Sequence, residues 1–302
     1  MRNAFIATLL ELAAADPRIF LITGDLGFNV LEPFAERFPQ QFLNAGVAEQ
    51  NMTGVAAGLA LSGRIALTYS IANFPTLRCL EQIRNDVCIH GANVKIVSVG
   101  GGLAYGNLGA THHGTEDLAI LRALPNMTVV APGDPVETDL ATRAIVADPG
   151  PCYLRLGKAG EPVVHTSPPR FRLGHAITVR EGRDVTLVST GGTLAMTVAA
   201  ADVLAARGVG ARVLSMPTVA PLDVEALDTA AAETGRVVTV EEHGVGGLGS
   251  AVAEALLLGG RPVRFRSLRL AREVIKTVGS QEYLRAAQGL TVDGVVRAVE
   301  GL

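Results

Sequence analysis

Polar and apolar positions along this chain follow two alternating rhythms. Short runs of β-branched and aliphatic residues, Ile19–Thr23, Ile65–Tyr69, Val94–Val99 and Thr128–Ala131, are separated by longer stretches whose apolar residues recur at helical spacing. The rhythm resumes with Asp184–Ser189, Ala211–Ser215, Arg236–Glu241 and Val263–Leu268. Between these strands the spacing predicts helices over Thr76–His90, Thr115–Ala123, Pro135–Ala147, Thr193–Arg207, Val224–Thr234 and Gly249–Leu257. Three starts carry capping chemistry: Thr115 ahead of Glu116 and Asp117, Asp134 ahead of Pro135, and Thr193 after a glycine pair. Apolar strands joined by helices make βαβ units with parallel sheets covered on both faces. The expected fold class is α/β, with two three-layer domains and mostly parallel sheets.

The rhythm breaks between Lys158 and Asp184, where EPVVHTSPPRFRLG is rich in proline and polar residues and has no helical period. A linker over 161–183 therefore divides a domain of residues 1–160 from one of residues 184–302. The opening MRNAFIATLLELAAADP has helical spacing, is interrupted by Glu11 and runs into the first strand. It reads as a first helix and not as a signal peptide. No stretch of about 18 apolar residues is present to cross a membrane, and no repeat is visible.

A hydrophobic content of 48% with 34 glycines suits closely packed helices and sheets, and the absence of tryptophan leaves the cores to aliphatic residues. The net charge of −3 argues against nucleic-acid or membrane-surface partners. Basic stretches at 170–183 and 261–272 read as solvated strand ends. Cys79, Cys88 and Cys152 lack CxxC spacing, which suits reduced, buried thiols in a cytoplasmic protein and no metal site.

One segment carries more information than the rest. NAGVAEQNMTGVAAGLALSG (Asn44–Gly63) sets a single acid, Glu49, at the start of a helix of small residues. An acid in a first turn is favoured by the helix dipole by about 0.3–1 kcal/mol, so alone it says little. Here it belongs to an ordered series: GDLG (Gly24–Gly27), NAGVAEQNM (Asn44–Met52), YSIANF (Tyr69–Phe74), then the long run Gly100–Glu137 containing THHGTEDLAILRALPNM, then YLRLGKAG (Tyr153–Gly160). TGGT (Thr190–Thr193), VEEHGVGGLGSAVAEAL (Val240–Leu256) and GSQEYLRAAQGL (Gly279–Leu290) follow. In this order the series resembles the C-terminal half of the transketolase family and of deoxyxylulose-phosphate synthases, and the resemblance covers nearly the whole chain. The family's diphosphate and metal signature, GDG followed downstream by NN, is missing, so the chain looks like the back half of a split enzyme.

The resemblance implies a pyrimidine-binding domain over 1–160 and a transketolase C-terminal domain over 184–302. It implies thiamine diphosphate as cofactor, with Mg2+ (or Ca2+) and the diphosphate held by an N-terminal partner subunit in a heterotetramer in which this chain also pairs with itself. Glu49 matches the glutamate that hydrogen-bonds a pyrimidine nitrogen and activates the cofactor. Asp25 matches an acid beside the thiazolium, Phe74 an aromatic of the pyrimidine pocket, and Tyr69 is the alternative ring-stacking residue. His112 matches the histidine that contacts substrate oxygens, with His113 beside it. Lys158 falls where an arginine binds a sugar phosphate, with Arg155 as its neighbour, and Asn29 stands where a serine often binds phosphate.

The chain departs from the family at Leu108, Ala110, Gly100 and Ile71, which stand where an aspartate, a proline, a histidine and a second aromatic are usual. Cofactor activation is retained and the substrate pocket altered, which shifts selectivity. The expected activity is transfer of a two-carbon ketol unit from a ketose or its phosphate to an aldehyde. A 2-oxo-acid decarboxylating or deoxyxylulose-phosphate-type chemistry is the alternative, and a non-catalytic scaffold is the alternative of another class. GVGGLG (Gly244–Gly249) fits a dinucleotide fingerprint, yet the following strand carries arginines where an acid is needed, so it reads as tight helix–strand packing with His243 structural. Asp134 with Glu137 reads as a helix start.

Overall fold

The computed structural model describes residues 1–260 and 262–302; Arg261, in one of the two basic stretches, lies outside the described residues. The strands are β1 (Ile19–Thr23), β2 (Phe42–Asn44), β3 (Ile65–Ile71), β4 (Val94–Val99), β5 (Thr128–Val130), β6 (Cys152–Leu156), β7 (Ile177–Arg180), β8 (Val185–Ser189), β9 (Ala211–Ser215), β10 (Thr218–Ala220), β11 (Arg236–Val240) and β12 (Arg264–Leu268). They form a seven-stranded sheet, β10-β5-β6-β4-β3-β1-β2, and a five-stranded sheet, β12-β11-β8-β9-β7. Every pairing is parallel except β10 on β5 and β7 on β9.

Helices α1 (Arg2–Ala15), α2 (Glu32–Arg37), α3 (Glu49–Leu61), α4 (Leu80–Gln82, continuing as a π-helical turn Ile83–Cys88), α5 (Asp117–Arg122) and α6 (Pro135–Ala147) flank the first sheet. Burial divides them into two layers. Phe5 and Leu9 of α1, Phe34 of α2 and Ile145 of α6 pack with Leu21 and Leu67 on one face. Met52 and Ala56 of α3, Ile83 and Val87, and Leu118 of α5 pack with Ile22 and Ala66 on the other. The split follows from strand geometry, since neighbouring residues point to opposite faces. Around the second sheet, α7 (Leu194–Ala206), α10 (Gln281–Ala287) and α11 (Val292–Glu300) cover one face, and α8 (Val224–Thr234) and α9 (Leu248–Leu258) the other. No described helix is long and apolar enough to cross a membrane.

Several local expectations need correction. Asp134 does cap α6, accepting from the Glu137 N–H at 2.7 Å. Thr115 caps nothing: its hydroxyl donates to Glu116, and α5 starts later because Asp117 is turned into the interior. Thr193 donates to the Val240 carbonyl at 3.0 Å instead of capping α7. The helix expected over Thr76–His90 starts only at Leu80. Strand β7 lies inside the stretch expected as linker and belongs to the second sheet. Strand β10, from the second half of the chain, pairs with β5 of the first sheet.

The two sheets meet across a buried polar seam. Arg155 of β6 donates to Asp117 at 2.8 Å and to the carbonyls of Gly114 and Glu242, at 2.7 and 3.0 Å. His243 Nε2 accepts from the N–H groups of Leu118 and Ala119, which puts its proton on Nδ1, facing the Gly244 carbonyl. The segment after β6 is clasped by α6: Asp134 accepts from the N–H groups of Val164 and His165, and the His165 ring meets Glu137 at 2.8 Å.

Candidate active site

In a parallel sheet the carboxyl ends of the strands share one edge, where loops can converge. Here that edge gathers Gly24–Asp25 after β1, Asn73–Phe74 after β3 and the start of α3. Two loops are tied by a reciprocal pair: the Asn44 side chain donates to Asp25 at 2.9 Å, and the Asp25 N–H donates to Asn44 Oδ1 at 3.1 Å. Asp25 and Asn29 both adopt left-handed backbone, with φ of 58° and 61°, a conformation that costs energy and gathers at functional loops. Asn29 is exposed, and its N–H donates to Glu32 at 2.8 Å.

The Asn44 turn delivers Glu49 to the first position of α3. Its side chain is 1% exposed. A Cβ at Gly24 would stand 3.3 Å from Glu49 Cγ, so glycine there leaves room for the acid. Glu49 Oε2 accepts from Arg78 Nη1 at 2.6 Å, and the Arg78 guanidinium lies over the Phe74 ring, 5.1 Å from its centroid. His112 meets Phe74 edge-on with centroids 5.3 Å apart, and Thr111 holds the ring through Nδ1 at 3.0 Å. Asn73 fastens this turn by donating to the Thr111 carbonyl. Glu49, Arg78, Phe74 and His112 thus form one continuous row.

A buried carboxylate beside a half-buried aromatic ring suits an aminopyrimidine, which offers nitrogen groups at its edge and apolar faces. Among the described residues no cluster of three or more His, Cys, Asp or Glu side chains is placed to hold a metal ion. On α3, Ala56 and Ala57 pack on the sheet while Gly54 and Gly58 face open space, with nothing within 4 Å of where a Cβ would stand.

Other expected residues sit elsewhere. Tyr69 is core: its ring stacks on Phe5 at 6.1 Å on the α1 face of the sheet, away from the α3 face. Arg155 is 6% exposed and committed to Asp117 and to the Gly114 and Glu242 carbonyls, so its donors are engaged in the seam. His113 is buried, and burial lowers its pKa. Lys158 is exposed, its ammonium 5.0 Å from the centre of the Tyr105 ring. Gly100 has φ of +81°, and a Cβ there would collide with the Tyr105 ring, which fills the space over it.

Two residues of this edge escaped sequence reasoning. Arg78 reaches Glu49 across 29 residues, a pairing no local pattern announces. Arg2 stands at the start of α1 with Nε buried and without a hydrogen-bond partner. Its charge works against the burial that raises the hydroxyl pKa of Tyr69 and Tyr105. A cation in the opening turn of a helix, where the dipole disfavours it, was the available signal. The GVGGLG turn is already occupied from within. The N–H groups of Leu248 and Gly249 both donate to the Glu241 carboxylate at 2.7 Å, where a phosphate would otherwise sit.

Two family models match the chain: transketolase, pyrimidine binding domain, over residues 1–160, and transketolase, C-terminal domain, over residues 174–295. The chain is 41% identical, over 98% of its length and 95% of the relative's, to one of the subunits of the apulose-4-phosphate transketolase of Phocaeicola vulgatus. It is 40% identical, over 99% of its length and 92% of the relative's, to the SqwH subunit of the 6-deoxy-6-sulfo-D-fructose transketolase of a Clostridium species. Among solved structures, a split-gene transketolase described as an inactive beta4 tetramer superposes with a TM-score of 0.92 at 39% identity, covering 99% of this chain and 97% of that one.

Proposed function

The chain belongs to the transketolase family, and from that membership we propose that it is the C-terminal subunit of a two-subunit transketolase. The reaction is transfer of a two-carbon ketol unit from a ketose to an aldehyde acceptor. An N-terminal subunit brings the diphosphate and metal site, and two copies of each chain complete the enzyme. Thiamine diphosphate, when bound, supplies the nucleophile and electron sink that carbon–carbon cleavage requires.

The single observation that carries this reading is the buried Glu49 carboxylate at the head of the row through Phe74 to His112. Glu49 hydrogen-bonds the ring nitrogen of the aminopyrimidine, a task its fixed position at the start of α3 favours. Phe74 supplies an apolar wall. His112, half-buried with Nδ1 engaged by Thr111, presents its other nitrogen to the substrate's oxygen functions. Asp25, held by Asn44, adds an anion near the reacting centre. Arg2 and Lys158 offer positive charge around Tyr105 for the anionic end of a phosphorylated or similarly charged ketose. The Tyr105 ring over Gly100 replaces polar contacts with an aromatic surface, so the preferred donor differs from those of transketolases with a histidine there.

The test is reconstitution. Ketol transfer is assayed with thiamine diphosphate and Mg2+ on this chain, its N-terminal subunit and their mixture. Activity is expected in the mixture alone, and Glu49→Gln is expected to lower it by about 10²–10⁴-fold. A Glu49→Gln pair with undiminished activity would remove the proposed role, and carbon dioxide release from pyruvate would assign decarboxylating chemistry instead.

A further inference from the structure

Arg78 makes the two contacts that an aminopyrimidine would need. Its Nη1 donates to Glu49 Oε2 at 2.6 Å, and its guanidinium lies over the Phe74 ring at 5.1 Å. A guanidinium is flat, carries N–H donors along its edge and stacks on aromatic faces. An aminopyrimidine is also flat, with nitrogen groups at its edge and faces that favour an aromatic neighbour. Glu49 and Phe74 can satisfy one such plane at a time.

We propose that Arg78 is a placeholder for the cofactor's pyrimidine ring: it occupies Glu49 and Phe74 in the unliganded chain and swings out as the ring enters. This rests on the reading of Glu49 and Phe74 given above. The exposures fit an exchange, since the acid is 1% exposed and the arginine 47%. The anion is fixed in the wall and the cation stands at the mouth, with solvent behind it. The Arg78 backbone is held independently, its carbonyl accepting from Gln50 Nε2 at 3.1 Å and the neighbouring Cys79 buried with its thiol on the Phe74 carbonyl. The side chain can therefore leave without moving the strand-to-helix turn. A buried carboxylate left unpaired is costly, so the unliganded chain has reason to keep this cation in place. Occupancy by Arg78 also weakens cofactor binding, because apparent affinity falls with the fraction of molecules whose site is open.

The experiment is calorimetric titration of the reconstituted two-subunit protein with thiamine diphosphate and Mg2+, for wild type, Arg78→Ala and Arg78→Gln. Thermal melting of this chain alone accompanies it. The placeholder reading expects both variants to bind the cofactor more tightly, by about tenfold, and Arg78→Ala alone to melt lower, with Glu49→Gln restoring the loss. Arg78→Gln, which keeps an N–H donor without the charge, carries the comparison should the alanine variant not fold. Unchanged or weaker cofactor binding by variants of a pair whose wild type binds it overturns the placeholder alone. A wild-type pair that binds no thiamine diphosphate overturns the functional reading and the placeholder with it.

Discussion

The carboxylate of Asp117 and the guanidinium of Arg155 meet at 2.8 Å inside the seam between the two sheets, although 38 residues separate them in the chain. Tyr153 donates its hydroxyl to the same oxygen at 2.5 Å, and burial raises that hydroxyl's pKa. Removing one member of a buried ion pair strands the other charge, at a cost of about 3–5 kcal/mol. Asp117→Ala is therefore expected to lower unfolding free energy in urea by about that amount, and Asp117→Asn, which keeps an acceptor, by less. A variant as stable as wild type would show that this pair, which fixes Arg155 for its bond to the Glu242 carbonyl across the seam, adds nothing to stability.

His112 lies on the surface side of the row, packed on Phe74 and held by Thr111. His112→Ala should leave the melting temperature of the chain nearly unchanged, because little buried surface is lost. In the reconstituted pair it should lower kcat by about 10²-fold if the imidazole exchanges a proton with the substrate. Steady-state kinetics on both proteins separates the effects: a lower melting temperature with normal kcat would make His112 structural.

The pH dependence of stability has an assignable acid limb. Burial pushes the pKa of His243 down to about 4 from an ordinary 6.5, with Asp117 opposing. The folded value lies below the unfolded one, so this contribution is present above pH 6.5 and lost as pH falls through about 4. Glu241 runs the other way: burial raises its pKa from 4.5 to about 7, so its contribution is lost as pH rises through that range. His165, raised by its bond to Glu137, loses its contribution as pH climbs above 6.5. Glu241 and His165 gain over the interval in which His243 loses, so the difference between proteins is the test: from pH 7 to pH 4 the melting temperature of wild type should fall relative to that of His243→Gln. Identical acid slopes would exclude His243 as the group responsible.

Gly100 meets two constraints at once, a φ of +81° and the Tyr105 ring over its Cα. Gly100→Ala should cost about 1–3 kcal/mol through overpacking. Pairing it with Tyr105→Ala should return part of that, leaving the backbone strain. A double-mutant cycle by denaturant unfolding measures the coupling; additive losses would mean that the ring does not press on this position.

Much of the fold was legible because helices and central strands advertise themselves locally. β1, β4, β9, α6 and α8 run where the apolar pattern and the caps place them, and parallel strands buried on both faces read as unbroken apolar runs. β2 and β10, each three residues long, and the antiparallel edge strand β7 gave no such run, since short edge strands depend on what they pair with. The site shows the same division. Glu49 stands in a segment whose order along the chain identifies it. Arg155 reads as a phosphate-binding neighbour of Lys158 until the fold brings Asp117 to it, and Tyr69 reads as pocket-facing until the register of β3 turns it toward Phe5. Arg78 was invisible because it stands in the turn before α4 while its partner opens α3, 29 residues earlier.

Strand β10 sets a schedule for synthesis. Its residues, Thr218–Ala220, close the side of β5 that would otherwise bare its backbone N–H and C=O groups. A first sheet that assembled during synthesis would stay open along that side until Ala220 had emerged from the ribosome. An exposed strand of this kind invites pairing with other chains, and nascent multidomain proteins are most vulnerable at such a stage. The second half of the chain thus completes the first as well as building its own sheet, so a fragment ending near residue 160 would be released with a sticky margin.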